Sequence, residues 1–207
     1  VDIMEEMASN RALTPEQMLE IIHNFKAALE RLATVVTAML DASQIEVQAL
    51  DLHFIPTTLN AVMAMALGPW REAVVERHQE LTVEGIENIP PIEADVQRLC
   101  QAFSNIISNA VKYTPDGGKI SIRADMAEDG EHFEVVIADT GVGIDREDQL
   151  LIFEPFYRLG SLLRHSTGET KFQGAGPGLG LHIARGVIEG HGGRIWVESE
   201  GHDEERC

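Results

Sequence analysis

The chain has 207 residues, 44% of them hydrophobic, which is enough for one domain of ordinary size plus a smaller element with a substantial core. Thirty-four acidic against sixteen basic side chains leave a formal charge of -18, and such a surface repels phosphate backbones and anionic headgroups, so no nucleic-acid or membrane-surface partner is expected. Any phosphate site must then be built locally from a few basic residues and backbone N–H groups.

Between Thr14 and Asp41 the residues Met18, Ile22, Phe25, Leu29, Leu32, Val36 and Met39 alternate spacings of four and three, a heptad seam that Ile21, Ala28 and Val35 widen. Thr14 with Gln17 three positions on, and Pro15 between them, predict a capping box with proline at the first helical position. A stripe this wide needs a second helix or a second chain to cover it, the plainer alternative being a core helix of a single domain.

From Leu50 the pattern changes to short strands and helices, so residues 1–49 are expected to form a helical element and residues 50–207 the main domain. Leu50 to Ile55 reads as a strand, and a helix follows Pro56 with Thr57 or Thr58 as its cap. The most apolar stretch, Ala61 to Trp70, is broken by Gly68 and Pro69 and is too short to span a membrane. Leu81 to Val83 reads as a strand and Asp95 to Tyr113 as a helix. Lys119 to Ala124 and Phe133 to Ala138 form a predicted hairpin around Glu128, Asp129 and Gly130. Glu154 to Ala175 lacks periodicity and reads as a long functional loop. Leu179 to Glu189 is a predicted helix and Arg194 to Glu198 a predicted strand. Cys100 and Cys207 supply neither a disulfide framework nor a metal-ligand spacing, so a reducing cytoplasm is the expected setting, whether a longer parent chain is free or membrane-anchored.

On a helical wheel of Asp95 to Tyr113, Leu99, Phe103, Ile106 and Ala110 gather on one face and Asn105, Asn109 and Lys112 on another, with Tyr113 at the edge. Amide oxygens can ligate a hard cation, a lysine can meet phosphate and a ring can pack on a base, although most polar helix faces are merely solvated. Asp139-Thr140-Gly141-Val142-Gly143-Ile144 follows an apolar strand. A carboxylate there can accept from an amino group while the glycines let backbone approach a flat ligand; taken alone it is a tight turn. Gly174-Ala175-Gly176-Pro177-Gly178-Leu179-Gly180 runs into a helix whose N-terminal N–H groups suit phosphate. A dinucleotide fingerprint is disfavoured because these glycines do not follow a strand, and a phosphate-loop lysine motif is absent.

The order of these segments, Asn105 to Pro115, Asp139 to Ile144, Phe153-x-x-Phe156-Tyr157-Arg158, and Gly176 to Leu181, resembles the N, G1, F and G2 boxes of sensor histidine kinases. The segment His191 to Ser199 is similar to that family's closing segment. This resemblance implies an α/β sandwich of the GHKL (Bergerat) type, a mixed sheet with helices on one face, shared with gyrase and heat-shock chaperones, preceded by the remnant of an all-α helical hairpin. It implies ATP and Mg²⁺ as cofactors. Asn109 becomes the metal ligand with Asn105 beside it, Lys112 a phosphate contact and Tyr113 a partner of the adenine. Asp139 would accept from the adenine amine, with Gly141, Gly143 and Ile144 shaping the pocket and Phe156 lining it. Gly176, Gly178, Leu179 and Gly180 would offer N–H groups to phosphate, and Arg158 and Lys171 would bring charge from Glu154 to Ala175, read as the lid over the nucleotide. Asn105, Lys112 and Arg158 are the expected catalytic groups, and His191 a structural one.

The resemblance further implies a protein-histidine kinase of a two-component system, a homodimer through the N-terminal helices, and a response regulator as partner. The family's acceptor is a histidine followed by an acidic residue and, shortly after, a proline; none of the eight histidines has that context. Val1 to Met7 resembles the end of the first hairpin helix, so the acceptor is expected outside these residues. A GHKL-type ATP hydrolase and a noncatalytic nucleotide-sensing module are the alternatives. The family also carries a further strand after Ile195 to Ser199, in whose place acidic Asp203 to Glu205 stands, so an exposed sheet edge is expected.

Overall fold

The computed structural model describes residues 14–46, 50–158 and 178–201. The chain divides into two compact units at Leu40/Asp41. Helix α1, Pro15–Glu46, begins in the first and ends in the second. Its start is the predicted capping box: the Gln17 N–H donates to Thr14 Oγ1 at 3.3 Å and the Thr14 N–H to Gln17 Oε1 at 3.1 Å. The seam residues Met18, Ile22, Phe25, Leu29, Leu32, Val36 and Met39 are all exposed, by 47% to 64%. A helix this apolar on one face is not stabilised by its own propensities in water.

In the second unit the end of α1 is anchored. Asp41 is buried and accepts from Arg98 Nη1 and Gln101 Nε2, each at 2.7 Å. Ile45 approaches Gly186 so closely that a Cβ on that glycine would stand 2.5 Å from Ile45 Cγ2. Strand β1 is Ile55–Thr57, displaced from the predicted Leu50 to Ile55 and sharing only Ile55 with it. The N–H of His53 is given to the Asp95 carboxylate rather than to a ladder, and Leu50 and Leu52 lie against Gly190, so the segment before Ile55 leaves the strand direction. Thr58 caps α2 (Leu59–Leu67) by accepting from the Ala61 N–H. A 3₁₀ turn, Gly68–Trp70, leads to the short α3, Arg71–Glu76.

Strand β2 (Glu80–Glu84) lies parallel to β4 (Lys119–Met126), which pairs antiparallel with β5 (Phe133–Asp139). This mixed sheet has the order β2-β4-β5. A separate antiparallel pair joins β1 to β3, Ile92–Ala94. The β4–β5 turn closes on Asp129, whose carboxylate accepts from the N–H groups of Glu131 and His132 and is thereby held down to about 2. Along β4, Ile120, Ile122 and Ala124 point into the core while Ser121, Arg123 and Asp125 face out. Helix α4, Val96–Tyr113, and α2 cover that inner face with Leu59, Met63, Leu99, Phe103 and Ile107, each large side chain contributing about 1.5–3 kcal/mol of burial. Helix α5, Gly180–Gly190, packs along α4.

Two expectations are corrected here. On α4 the buried isoleucine is Ile107, not Ile106, because the helix turns Ala102, Phe103, Ile107 and Val111 inward as one broad stripe. Arg194 to Glu198 forms no ladder among the described residues, although its exposure alternates as a strand's does. It is held through Ser199 instead, whose hydroxyl accepts from the Ile144 N–H at 2.9 Å. The outer edge of β5 is therefore unpaired among the described residues.

Candidate functional site

Helix α4 carries the polar face into position because both of its ends are tied down. At the start, Asp95 Oδ1 accepts from the Arg98 N–H and Oδ2 from the His53 N–H, each at 3.0 Å. At the finish, two buried polar residues that precede β2 reach the helix carbonyls. Arg77 donates to Val111 O, to Thr114 O at 2.8 Å and to the Asp116 carboxylate at 2.8 Å. Gln79 Nε2 donates to the same two carbonyls at 3.0 and 2.8 Å. These satisfy the C-terminal carbonyls that an α-helix leaves open, and a cation suits that end of the dipole. Neither Arg77 nor Gln79 was foreseen from sequence, since nothing local marks a polar pair as a cap for a helix more than thirty residues on.

Along α4, Asn105, Asn109 and Lys112 are half-buried on one face and Tyr113 is 38% exposed at its end. Asn105 Nδ2 is buried and has no hydrogen-bond partner among the described residues. Beside it stands the start of α5: a Cβ on Gly180 would lie 3.5 Å from Asn105 Cγ. Among the described residues no side chain caps α5, whose first N–H groups follow the fully buried Leu179. An orphaned amide donor next to an uncapped helix N-terminus is an arrangement that accommodates an anion.

Asp139 ends β5, and the glycine two positions on folds the chain back to it. The Gly141 N–H donates to Asp139 Oδ1 at 2.8 Å and the Val142 N–H to Tyr113 O at 3.2 Å. A Cβ on Gly141 would collide with Asp139 Oδ1 at 2.5 Å and Tyr113 O at 2.6 Å, so glycine is required there. The crowding of protein atoms raises the Asp139 carboxyl above its ordinary value, although the Gly141 N–H and the Thr114 side chain pull it down. Thr114 itself is fully buried, and its hydroxyl completes no well-formed hydrogen bond among the described residues. Gly143 has φ +73 and meets Gly201 O where a Cβ would be. Ile144 is pinned by Ser199 Oγ and by Gln149 Nε2, which donates to Ile144 O at 3.1 Å.

The third group lies after the 3₁₀ turn Leu151–Phe153. Phe156, with φ 64, gives its N–H to Gly178 O at 2.9 Å and is 58% exposed. Gly178, with φ +75, has Tyr157 O and Arg158 Cγ at 2.9 and 3.1 Å from where a Cβ would be. Burial raises the Tyr113 hydroxyl above its ordinary value, and the Arg158 charge, which reaches it, opposes the rise. Asn105 thus meets Gly180, Tyr113 meets the Asp139–Val142 loop, and Phe156 to Arg158 meet Gly178. Lys171, Gly176 and most of the segment Glu154 to Ala175 lie outside the described residues.

Comparison with known proteins places the chain among relatives. The Histidine kinase-, DNA gyrase B-, and HSP90-like ATPase family model matches residues 94–206, more than half of the chain. The sensor histidine kinase WalK of Bacillus subtilis is 32% identical over 177 residues, covering 82% of this chain and 26% of WalK. The adaptive-response sensory kinase SasA of Rippkaea orientalis is 30% identical over 195 residues, covering 94% of this chain and 46% of SasA. The crystal structure of full-length ShkA in complex with AMPPNP superposes with a TM-score of 0.75 at 26% identity, over 94% of this chain and 38% of ShkA. The chain thus spans between a quarter and a half of the length of these curated relatives. With the mixed sheet, its one-sided helices and the matched region coinciding, the chain belongs to the histidine kinase-, DNA gyrase B- and HSP90-like ATPase family, and the relatives it resembles within that family are sensory kinases.

Proposed function

We propose that this chain binds ATP with Mg²⁺ and positions its γ-phosphoryl group for transfer to a histidine that these 207 residues do not themselves carry. In this reading Asp139 accepts from the adenine amine, Gly141 admits the flat base, and Tyr113 lies against it. Lys112 and the α5 N-terminus, with Gly178, Leu179 and Gly180, receive phosphate oxygens, and Arg158, beside Gly178, adds charge. Among the described residues no cluster of His, Cys, Asp or Glu could hold a metal ion by itself. Asn109 would therefore hold Mg²⁺ jointly with phosphate oxygens, as this small, strongly hydrated cation is usually held. The metal supplies charge neutralisation for the transferred group. Dimerisation through α1 and delivery of the phosphoryl group to a response regulator belong to the same proposal.

The observation that carries the choice of transfer over hydrolysis is Asn105, whose amide stands at the position where hydrolase relatives use a glutamate to activate water. An amide cannot take up that proton. Its orphaned Nδ2 can instead donate to an oxygen of the bound group. The test is incubation with radiolabelled ATP, alone and with the acceptor hairpin domain of a sensor histidine kinase. The chain alone should gain no acid-labile label, whereas the hairpin should gain it at a rate that rises with hairpin concentration, because the encounter is bimolecular. Phosphate release without a hairpin would favour the hydrolase. Nucleotide binding with neither reaction would favour a noncatalytic nucleotide-sensing module.

A further inference from the structure

Trp70 ends the 3₁₀ turn Gly68–Trp70, where Pro69 restricts the backbone and the ring packs partly buried against the core. Its indole N–H donates to Ser104 Oγ on α4 at 3.0 Å, which fixes the plane of the ring. Lys112 lies eight residues further along the same helix. Helical side chains lean towards the N-terminus, and the Lys112 ammonium comes back to 5.6 Å from the Trp70 ring centroid. That separation lies within the range at which an indole face attracts a cation.

We propose that Trp70 is a positioning residue for Lys112, seating the ammonium at the phosphate end of the nucleotide site. Lysine carries a compact charge on a flexible four-carbon stem, and ordering it costs rotamer entropy at the moment of binding. A ring lowers that cost by attracting the ammonium through its quadrupole, yet it accepts none of the strong hydrogen bonds that a phosphate oxygen needs from the same group. Ser104 keeps the ring from turning away. The inference rests on the reading of Lys112 as a phosphate contact.

The test measures affinity for adenosine and for ADP by calorimetry or NMR titration in the intact chain. Trp70→Leu should weaken ADP about threefold to tenfold and leave adenosine unchanged. Ser104→Ala, which keeps the ring and loses only its anchor, should move ADP in the same direction by less, and Trp70→Phe should retain most of the preference. In a Lys112→Met background Trp70→Leu should have no further effect, since the ring then has no ammonium to seat. Equal weakening of adenosine and ADP, additivity with Lys112→Met, or no effect of Trp70→Leu on ADP would overturn the proposal. Should Trp70→Leu fail to fold, Trp70→Phe and Ser104→Ala run the same cycle. If Lys112→Met itself leaves the ADP-to-adenosine ratio unchanged, the phosphate role of Lys112 fails and the inference falls with it, an outcome read from that single variant alone.

Discussion

At Asp139 the protein holds a carboxylate where its surroundings disfavour the charge. Crowding by protein atoms raises its pKa in spite of the Gly141 N–H and the Thr114 side chain. The folded state therefore binds this proton more tightly than the unfolded chain does. Asp139 lowers stability at neutral pH, by an amount tempered by solvent because the residue is more than a third exposed, and that cost disappears as the pH falls through the raised value towards the ordinary 3.8. In the proposed adenine-binding role the requirement is the opposite, since the ligand amine is best met by the ionised acceptor, so nucleotide affinity should begin to fall on acidification before an ordinary aspartate titrates. Asp139→Asn tests both halves. The amide accepts at one end only, so it cannot serve the Gly141 N–H and a ligand amine with its two ends. Affinity for ADP should drop at least about tenfold, while the melting temperature of the unliganded chain stays the same or rises. A variant with unchanged ADP affinity would remove Asp139 from the site.

Helix α4 is stabilised by its buried middle and positioned by its two ends. Its N-cap joins three segments: Asp95 accepts from the Arg98 and His53 N–H groups, and its own N–H donates to His191 Nε2 at 3.0 Å. Burial alone would raise the Asp95 carboxyl, but the N–H groups of Arg98, His53 and Gln97 together with nearby His191 outweigh it and hold the carboxyl below 3.8. Its stabilising contribution is thus present above the unfolded value and lost as the pH drops through the folded one. Asp95→Ala should cost about 1–2 kcal/mol, read as a fall of the melting midpoint by about 2–8 °C. The difference from wild type should shrink in acid below the carboxylate range. An equal difference at neutral and strongly acidic pH would mean that the charge plays no part in the cap.

For the molecule as a whole, the open question is what covers the seam of α1. Seven large apolar side chains at heptad spacing, Met18 to Met39, are exposed by about half or more, and a row of this kind is a coiled-coil surface. A second copy of the chain is the expected cover. Sedimentation should show a dimer at high concentration, and Phe25→Glu with Leu32→Glu should abolish it. Copies carrying a charge of -18 each repel one another, so added salt should strengthen the association by screening. A strict monomer at every concentration and salt level would sink this reading.

The sequence by itself determined the features whose causes are local. The capping box at Thr14, the α4 span with Asp95 at its head, the hairpin around Asp129 and the glycines at 141, 143 and 178 were all legible. Each follows from a period, a turn or a backbone conformation that a few neighbouring residues impose. The order of the four boxes was legible through its resemblance to the pattern of sensor histidine kinases. Only the tertiary structure decided which apolar alternations become strands. Arg194 to Glu198 has the strand's alternation yet forms no ladder among the described residues, and Leu50 to Phe54 is drawn away where the His53 N–H is taken by Asp95. The same holds for Arg77, which meets Thr114 across 37 positions, and for Asn105 beside Gly180. A hydrogen-bond partner or a packing neighbour that far along the chain is chosen by the folded backbone, and no pattern within either segment encodes it.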